Sequence, residues 1–175
     1  MSHILTDTFG HHTWATGHLL SFCRDLPPEQ LTSSAAGTYG DILATFNHIL
    51  LGDAAYLRGL TGSAPHWVDR HRPWPGPQGN ELADLDELAT WVEETEKRWS
   101  LFLSEPFDTE RVQVVNNGTH EVRAGVILAQ VLHHANAHRE QICAILTGMG
   151  LQPPDLQPWA YAWAAGRIWT TDGDT

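Results

Sequence analysis

The sequence has little positive charge, with ten lysines and arginines against 21 acidic residues and a formal net charge of −11 at pH 7. Non-specific affinity for nucleic acid depends on cationic side chains that release counterions from phosphates. The composition therefore disfavours DNA or RNA as a partner.

Cysteines and long apolar runs are also scarce. Cys23 and Cys143 lie far apart and form no Cys-x-x-Cys motif, so no disulfide framework is predicted. No stretch approaches the ~18 consecutive apolar residues that cross a bilayer. The first residues lack the charged and apolar regions of a signal peptide. These absences predict a soluble, cytoplasmic protein that does not associate with membranes.

Two well-known metal-binding patterns of helical proteins are missing. No glutamate lies three residues before any histidine, which excludes the Glu-x-x-His pairs of carboxylate-bridged di-iron bundles. A His-Glu-x-x-His motif is absent too, which excludes a zinc protease of that class.

Four stretches place apolar residues at helical spacing and stop near proline or glycine. They are residues 4–24, 39–60, 81–104 and 123–146. Thr38 and Asn80 are the predicted N-caps of the second and third stretches. A chain of 175 residues predicts one domain, residues 1–175.

The segments between these stretches differ in character. Residues 61–80 are rich in proline and glycine and predict an irregular crossover, whereas residues 110–123 alternate weakly and predict an extended loop or short hairpin. The tail contains Trp159, Trp163 and Trp169, which a short helix across the bundle or a dimer contact would explain. The predicted fold is all-α: a four-helix bundle with a long crossover between helices two and three and a short C-terminal extension.

His134 and His138 lie within about 40° of each other on a helical wheel, on the same side as Val131 and Ile142. Both imidazoles should therefore face the core. Burying them costs free energy unless each finds a partner. The i, i+4 spacing lets two histidines bind one metal ion, although two core histidines satisfied by side chains or water would show the same pattern.

His48 occupies a face of the second stretch that otherwise carries small residues. These are Ala44, Gly52, Ala55 and Gly59. Small residues permit either a cavity with His48 at its wall or close packing between helices. In the first stretch His12 is on the apolar side, unlike His11 and His18, which favours a core or pocket-lining role over metal binding.

Four segments together resemble the DinB family in order and spacing. They are residues 14–20 (WATGHLL), 47–53 (NHILLGD), 134–142 (HANAHREQI) and 150–154 (GLQPP). The resemblance implies a four-helix bundle with up-down-down-up connectivity, a homodimer, and a divalent metal bound by His48, His134 and His138. Glu140 stands where the family usually has glycine, but its wheel position faces outward, so no damage to the site is expected.

The resemblance also suggests functions, because the superfamily includes thiol-cofactor-dependent transferases and a maleylpyruvate isomerase. Three histidines leave a zinc or nickel ion, or a manganese or iron ion, with its full charge and an open position. We therefore expect a transferase that activates a low-molecular-weight thiol for a small-molecule substrate. The alternatives are a non-catalytic, stress-associated metal- or ligand-binding protein and a metal-dependent hydrolase. Candidate general bases are Asp41, Asp53 and Tyr56.

Overall fold

The computed structural model describes residues 3–71, 82–115 and 118–170. Its elements are α1 (His3–Arg24), α2 (Pro28–Leu31), α3 (Ile42–Thr61), a 3-10 helix (His66–His71), α4 (Leu85–Ser104), β1 (Val112–Val115), β2 (His120–Arg123), α5 (Ala124–Gly148) and α6 (Pro158–Ala164). The long helices α1, α3, α4 and α5 pack together as the predicted four-helix bundle. Among the described helices, none is long and apolar enough to span a membrane.

Side-chain contacts establish the directions of α1, α3 and α4. Phe9, early in α1, lies with its ring centroid 4.6 Å from that of Trp99, late in α4, so these two helices are antiparallel. Asn47, early in α3, exchanges hydrogen bonds with the backbone of Ala83, just before α4. The first turns of α3 and α4 therefore lie side by side, and the two helices run in the same direction.

The direction of α5 follows in the same way. Phe9 shares one buried cluster with Ile127, near the start of α5, whereas Cys23 shares the other with Ile145, near its end. Helices α1 and α5 are therefore parallel. Together with the directions of α3 and α4, this gives the up-down-down-up connectivity that the family resemblance implies.

The starts of α3 and α4 differ from the prediction. Helix α3 begins at Ile42, because the Asp41 carboxylate accepts a hydrogen bond from the Ala44 N–H at 2.7 Å. Thr38 instead bonds the loop backbone, including the Gly40 carbonyl. Helix α4 begins after Asp84, whose carboxylate accepts from two backbone N–H groups. Aspartate is as good an N-cap as threonine or asparagine, so composition alone did not choose between neighbouring positions.

The connections contain two features that the sequence did not predict. Pro28 begins the short helix α2, because proline is tolerated in the first turn, where no backbone N–H is needed. In the crossover, the 3-10 helix (His66–His71) places Trp67 against Trp91 of α4 with ring centroids 4.2 Å apart. Asn80, the predicted cap, lies outside the described residues, as does the rest of the crossover from 72 to 81.

A hairpin precedes α5. The sequence predicted either an extended loop or a short hairpin here, and the structure has the hairpin. Strands β1 and β2 pair antiparallel, with Val112 opposite Arg123. The C-terminal extension includes the short helix α6, whose Tyr161 packs closely over Gly10 of α1. Trp159 of the same helix is 70% exposed. The extension therefore covers α1 with one face and leaves an apolar face in solvent.

Candidate metal centre

Three histidines from two antiparallel helices meet in the bundle. His48 is on α3, and His134 and His138 are one turn apart on α5. Their ring centroids are 4.6 to 4.7 Å apart in every pair, and one ring nitrogen of each lies within 4.8 Å of the others. The structure therefore brings together the three predicted ligands, and this cluster could hold a metal ion.

The small residue at position 52 creates the room for His134. A Cβ atom added to Gly52 would lie 2.7 Å from Cε1 of the His134 ring, which is closer than real Cβ contacts come. At Gly59, by contrast, an added Cβ would meet no described atom within 4 Å. The close-packing interpretation of this face is therefore correct at Gly52, and the group packed against it is a candidate ligand.

Hydrogen bonds orient two of the imidazoles toward each other. Nε2 of His48 lies 2.9 Å from Nε2 of His134, so one nitrogen carries a proton and the other accepts it. His138 uses its Nδ1–H to donate to the Gln141 side-chain oxygen at 3.0 Å. Since neutral imidazole carries one proton, this bond leaves the lone pair of His138 on Nε2.

Tyr39 and Gln141 contact the histidine cluster. The Tyr39 ring stacks on His48 with centroids 3.9 Å apart, and its edge contacts His138. The backbone N–H of Tyr39 donates to the same Gln141 oxygen at 3.0 Å. One amide oxygen therefore connects the orientation of a candidate ligand to the loop before α3.

The environment keeps the imidazoles of His48 and His134 neutral. Burial, followed by the neighbouring His134 and His138, lowers the pKa of His48 to about 4. Burial and then His138 lower the pKa of His134 to about 4, although the Asp53 carboxylate opposes this shift. At neutral pH both rings therefore present lone pairs without competition from protons.

This donor set fits a divalent transition-metal ion. Neutral imidazole is a common ligand of zinc, nickel, copper and iron, whereas magnesium and calcium prefer oxygen. In the described part of the chain, Nδ1 of His134 is buried and has no hydrogen-bond partner. If Nε2 of His134 binds an ion, the proton of the neutral ring must be on Nδ1.

The other residues that the sequence analysis considered lie outside the cluster. His133 and Glu140 are exposed, as their wheel positions predict. Asp41 is the N-cap of α3, and its carboxylate accepts a hydrogen bond from the Ala44 N–H. Of the remaining candidates, Tyr56 borders the cluster, with its ring centroid 5.9 Å from that of His134.

Behind the cluster is a buried polar network. Nε2 of His12 lies 2.7 Å from the Asp53 carboxylate, and both side chains are almost fully buried. Arg139, which is 2% exposed, donates to the His12 carbonyl and to the Thr16 hydroxyl. His12 is therefore a core residue paired with a carboxylate, in agreement with the favoured interpretation.

Tyr39, Gln141 and Arg139 were not predicted to have roles at the site. Gln141 follows His138 by three residues, which places both on one helical face, so this spacing could have identified it. Tyr39 and Arg139 carried no such signal. Their partners come from other parts of the chain.

The model of the DinB family matches residues 1–172. No curated protein matches the sequence.

Proposed function

Because this chain belongs to the DinB family, we propose that it is a divalent-metal-dependent transferase that activates a low-molecular-weight thiol at His48, His134 and His138. The observation that carries the proposal is the cluster of three histidines with no carboxylate among them. Zinc or nickel is the proposed ion, because both accept imidazole ligands.

The charge of the site favours an anionic sulfur ligand. Neutral imidazoles leave a bound divalent ion its full charge, and such an ion holds a thiol as its thiolate. The roles of the protein side chains are to present lone pairs, to keep each ring in one orientation and to limit water. Gln141 provides the orientation of His138, and the Tyr39 ring covers His48.

The two cysteines of the chain are poor nucleophiles. Burial raises the pKa of Cys23 to about 12 and that of Cys143 to about 11. Both are therefore protonated thiols near neutral pH, and a thiol is far less reactive than a thiolate. This supports a nucleophile that comes from outside the protein.

The proposed reaction is a substitution at carbon. The sulfur of the thiol forms a bond to an electrophilic carbon of a small molecule, and the leaving group departs with the electron pair of the broken bond. The thiol proton passes to solvent. This step needs no strong base, which agrees with the observation that Asp41 and Asp53 are engaged in structural contacts.

Cobalt substitution tests the proposal directly. We expect cobalt to bind to the wild type, and a low-molecular-weight thiol such as glutathione to add a sulfur-to-metal charge-transfer band. An electrophilic aryl halide should also be conjugated faster with the protein than without it. His133→Ala is the matched control, because this exposed histidine neighbours the cluster on the same helix.

The results separate the proposed function from its competitors. Metal binding without a thiol band would overturn the transferase and leave the metal-binding protein and the metal-dependent hydrolase as the alternatives. Equal conjugation by His48→Ala and wild type would show that the cluster does not catalyse the reaction. Failure of the wild type to bind any divalent ion would contradict the metal site itself.

A further inference from the structure

A tyrosine of α3 and a glutamine of α5 are joined beside the histidine cluster. Nε2 of Gln130 donates to the Tyr56 hydroxyl, with 3.4 Å between the two atoms. Gln130 lies one turn before His134 on the same face of α5. The ring centroid of Tyr56 is 5.9 Å from that of His134. The Tyr56 ring therefore borders a candidate ligand, while its hydroxyl reaches the exposed Gln130.

The Tyr56 hydroxyl has a proton to donate. A phenol both donates and accepts hydrogen bonds, and Gln130 uses it only as an acceptor. In the part of the chain that the structure describes, we find no acceptor for the Tyr56 proton. The bond to Gln130 is also long for a hydrogen bond between nitrogen and oxygen. Because Gln130 is exposed, the Tyr56 hydroxyl can readily exchange this partner for a ligand.

An anionic sulfur at the cluster needs hydrogen-bond donors. Its remaining lone pairs lose water in a half-buried site, and an unsatisfied charged acceptor is costly. Asp41 and Asp53 cannot donate as carboxylates, and both already accept bonds from other groups of the protein. Tyr56 borders the cluster and does carry a proton. Its hydroxyl is therefore suited to satisfy the sulfur.

We propose that Tyr56 is the thiol-recognition residue of the site, and that its neutral hydroxyl donates a hydrogen bond to the sulfur of the low-molecular-weight thiol. This inference rests on the proposed function. The thiol releases its proton to solvent when it binds as the thiolate, whereas the phenol keeps its own. The contact favours a thiolate over water, since a hydrogen bond to an ionised acceptor is roughly twice as strong as one to a neutral acceptor.

Tyr56→Phe removes the hydroxyl and keeps the ring. Glutathione is titrated into the cobalt-substituted, full-length protein near pH 7, and the sulfur-to-metal charge-transfer band reports its binding. We expect the Kd for glutathione to rise about 10- to 100-fold in the variant. The band should move to longer wavelength, because a thiolate that lacks the hydrogen bond gives up an electron more easily. Cobalt affinity should stay that of the wild type, because Tyr56 is not among the candidate ligands.

Tyr161→Phe is the matched control. Tyr161 is a half-buried tyrosine of α6 that packs over Gly10 of α1. The substitution removes the same hydroxyl group from a different pair of helices. We expect this variant to keep the wild-type Kd for glutathione and the wild-type band. Equal changes in both variants would overturn the proposal, and so would an unchanged band and Kd in Tyr56→Phe.

A second variant tests the Tyr56 hydroxyl without removing it. Gln130→Glu places a carboxylate, which is a stronger acceptor, beside Tyr56 at an exposed position where substitutions have little effect on folding. The carboxylate should compete with the sulfur for the Tyr56 proton and weaken glutathione binding. In the Tyr56→Phe background the same substitution should add little further loss. An equal loss in both backgrounds would show that the new charge acts by repulsion, and would contradict the role of the hydroxyl.

The outcomes separate this inference from the proposed function. A wild type that binds cobalt but gives no thiol band contradicts the transferase, and the role of Tyr56 fails with it. A wild type that gives the band, together with a Tyr56→Phe variant of the same band position and Kd, contradicts only the role of Tyr56.

Discussion

Acidification should destabilise the metal-free protein through two partly buried histidines, His48 and His134. The pKa of His48 and that of His134 are both lowered from 6.5 to about 4, chiefly by burial. The unfolded chain therefore binds protons at these positions before the folded protein does. Their contribution to stability is complete above the unfolded pKa and is lost as the pH falls toward 4.

The size of the effect follows from the shift. A histidine whose pKa is 6.5 in the unfolded chain and about 4 in the folded protein lowers the free energy of unfolding by about 2 kcal/mol when the pH falls from 7 to 5. Both rings are only partly buried, so solvent screening reduces this to about 1 kcal/mol each. We expect a loss of about 2 kcal/mol from the pair, or roughly 4 to 8 °C in melting temperature.

Urea denaturation at pH 7 and pH 5, with a chelator present, measures the loss. The chelator is needed because bound metal stabilises the folded state and would mask the effect. The double variant His48→Gln/His134→Gln lacks both titrating groups, whereas His133→Gln removes an exposed histidine of the same helix. Contributions from all other groups cancel in the comparison with the wild type.

We expect the double variant to lose about 2 kcal/mol less than the wild type over this range, and His133→Gln to follow the wild type. If the double variant loses as much stability as the wild type, the two rings are not held neutral by burial. The argument that their lone pairs are free for metal at neutral pH would then be refuted.

Three further predictions concern the cluster and the exposed tail. Alanine at any one of the three candidate ligands should weaken zinc binding at least 100-fold, whereas His133→Ala should not, as calorimetric titration would show. Gly52→Ala should displace His134 and reduce zinc affinity, because the added Cβ lies 2.7 Å from the ring; Gly59→Ala, with open space, should raise the melting temperature instead. We also propose a homodimer that covers Trp159, which is 70% exposed, so Trp159→Ser should shift the mass measured by light scattering toward the monomer.

Local sequence pattern was enough to predict the bundle and the inward face of His134 and His138, whereas the choice of His48 as their partner came from the resemblance to the DinB family. Apolar periodicity, proline and glycine are local signals, so they indicated the four long helices and the inward phase of His134 and His138. The exact first residues of α3 and α4 were wrong, because several neighbouring residues are competent caps and only the backbone geometry selects one.

The surroundings of the histidines were decided by the tertiary structure. Three contacts join residues from different parts of the chain. They are the packing of His134 against Gly52, the stacking of Tyr39 on His48 and the buried pair of Asp53 and His12. No periodicity encodes such pairs. They depend on the separation and relative rotation of packed helices, which all the side chains of the core determine together.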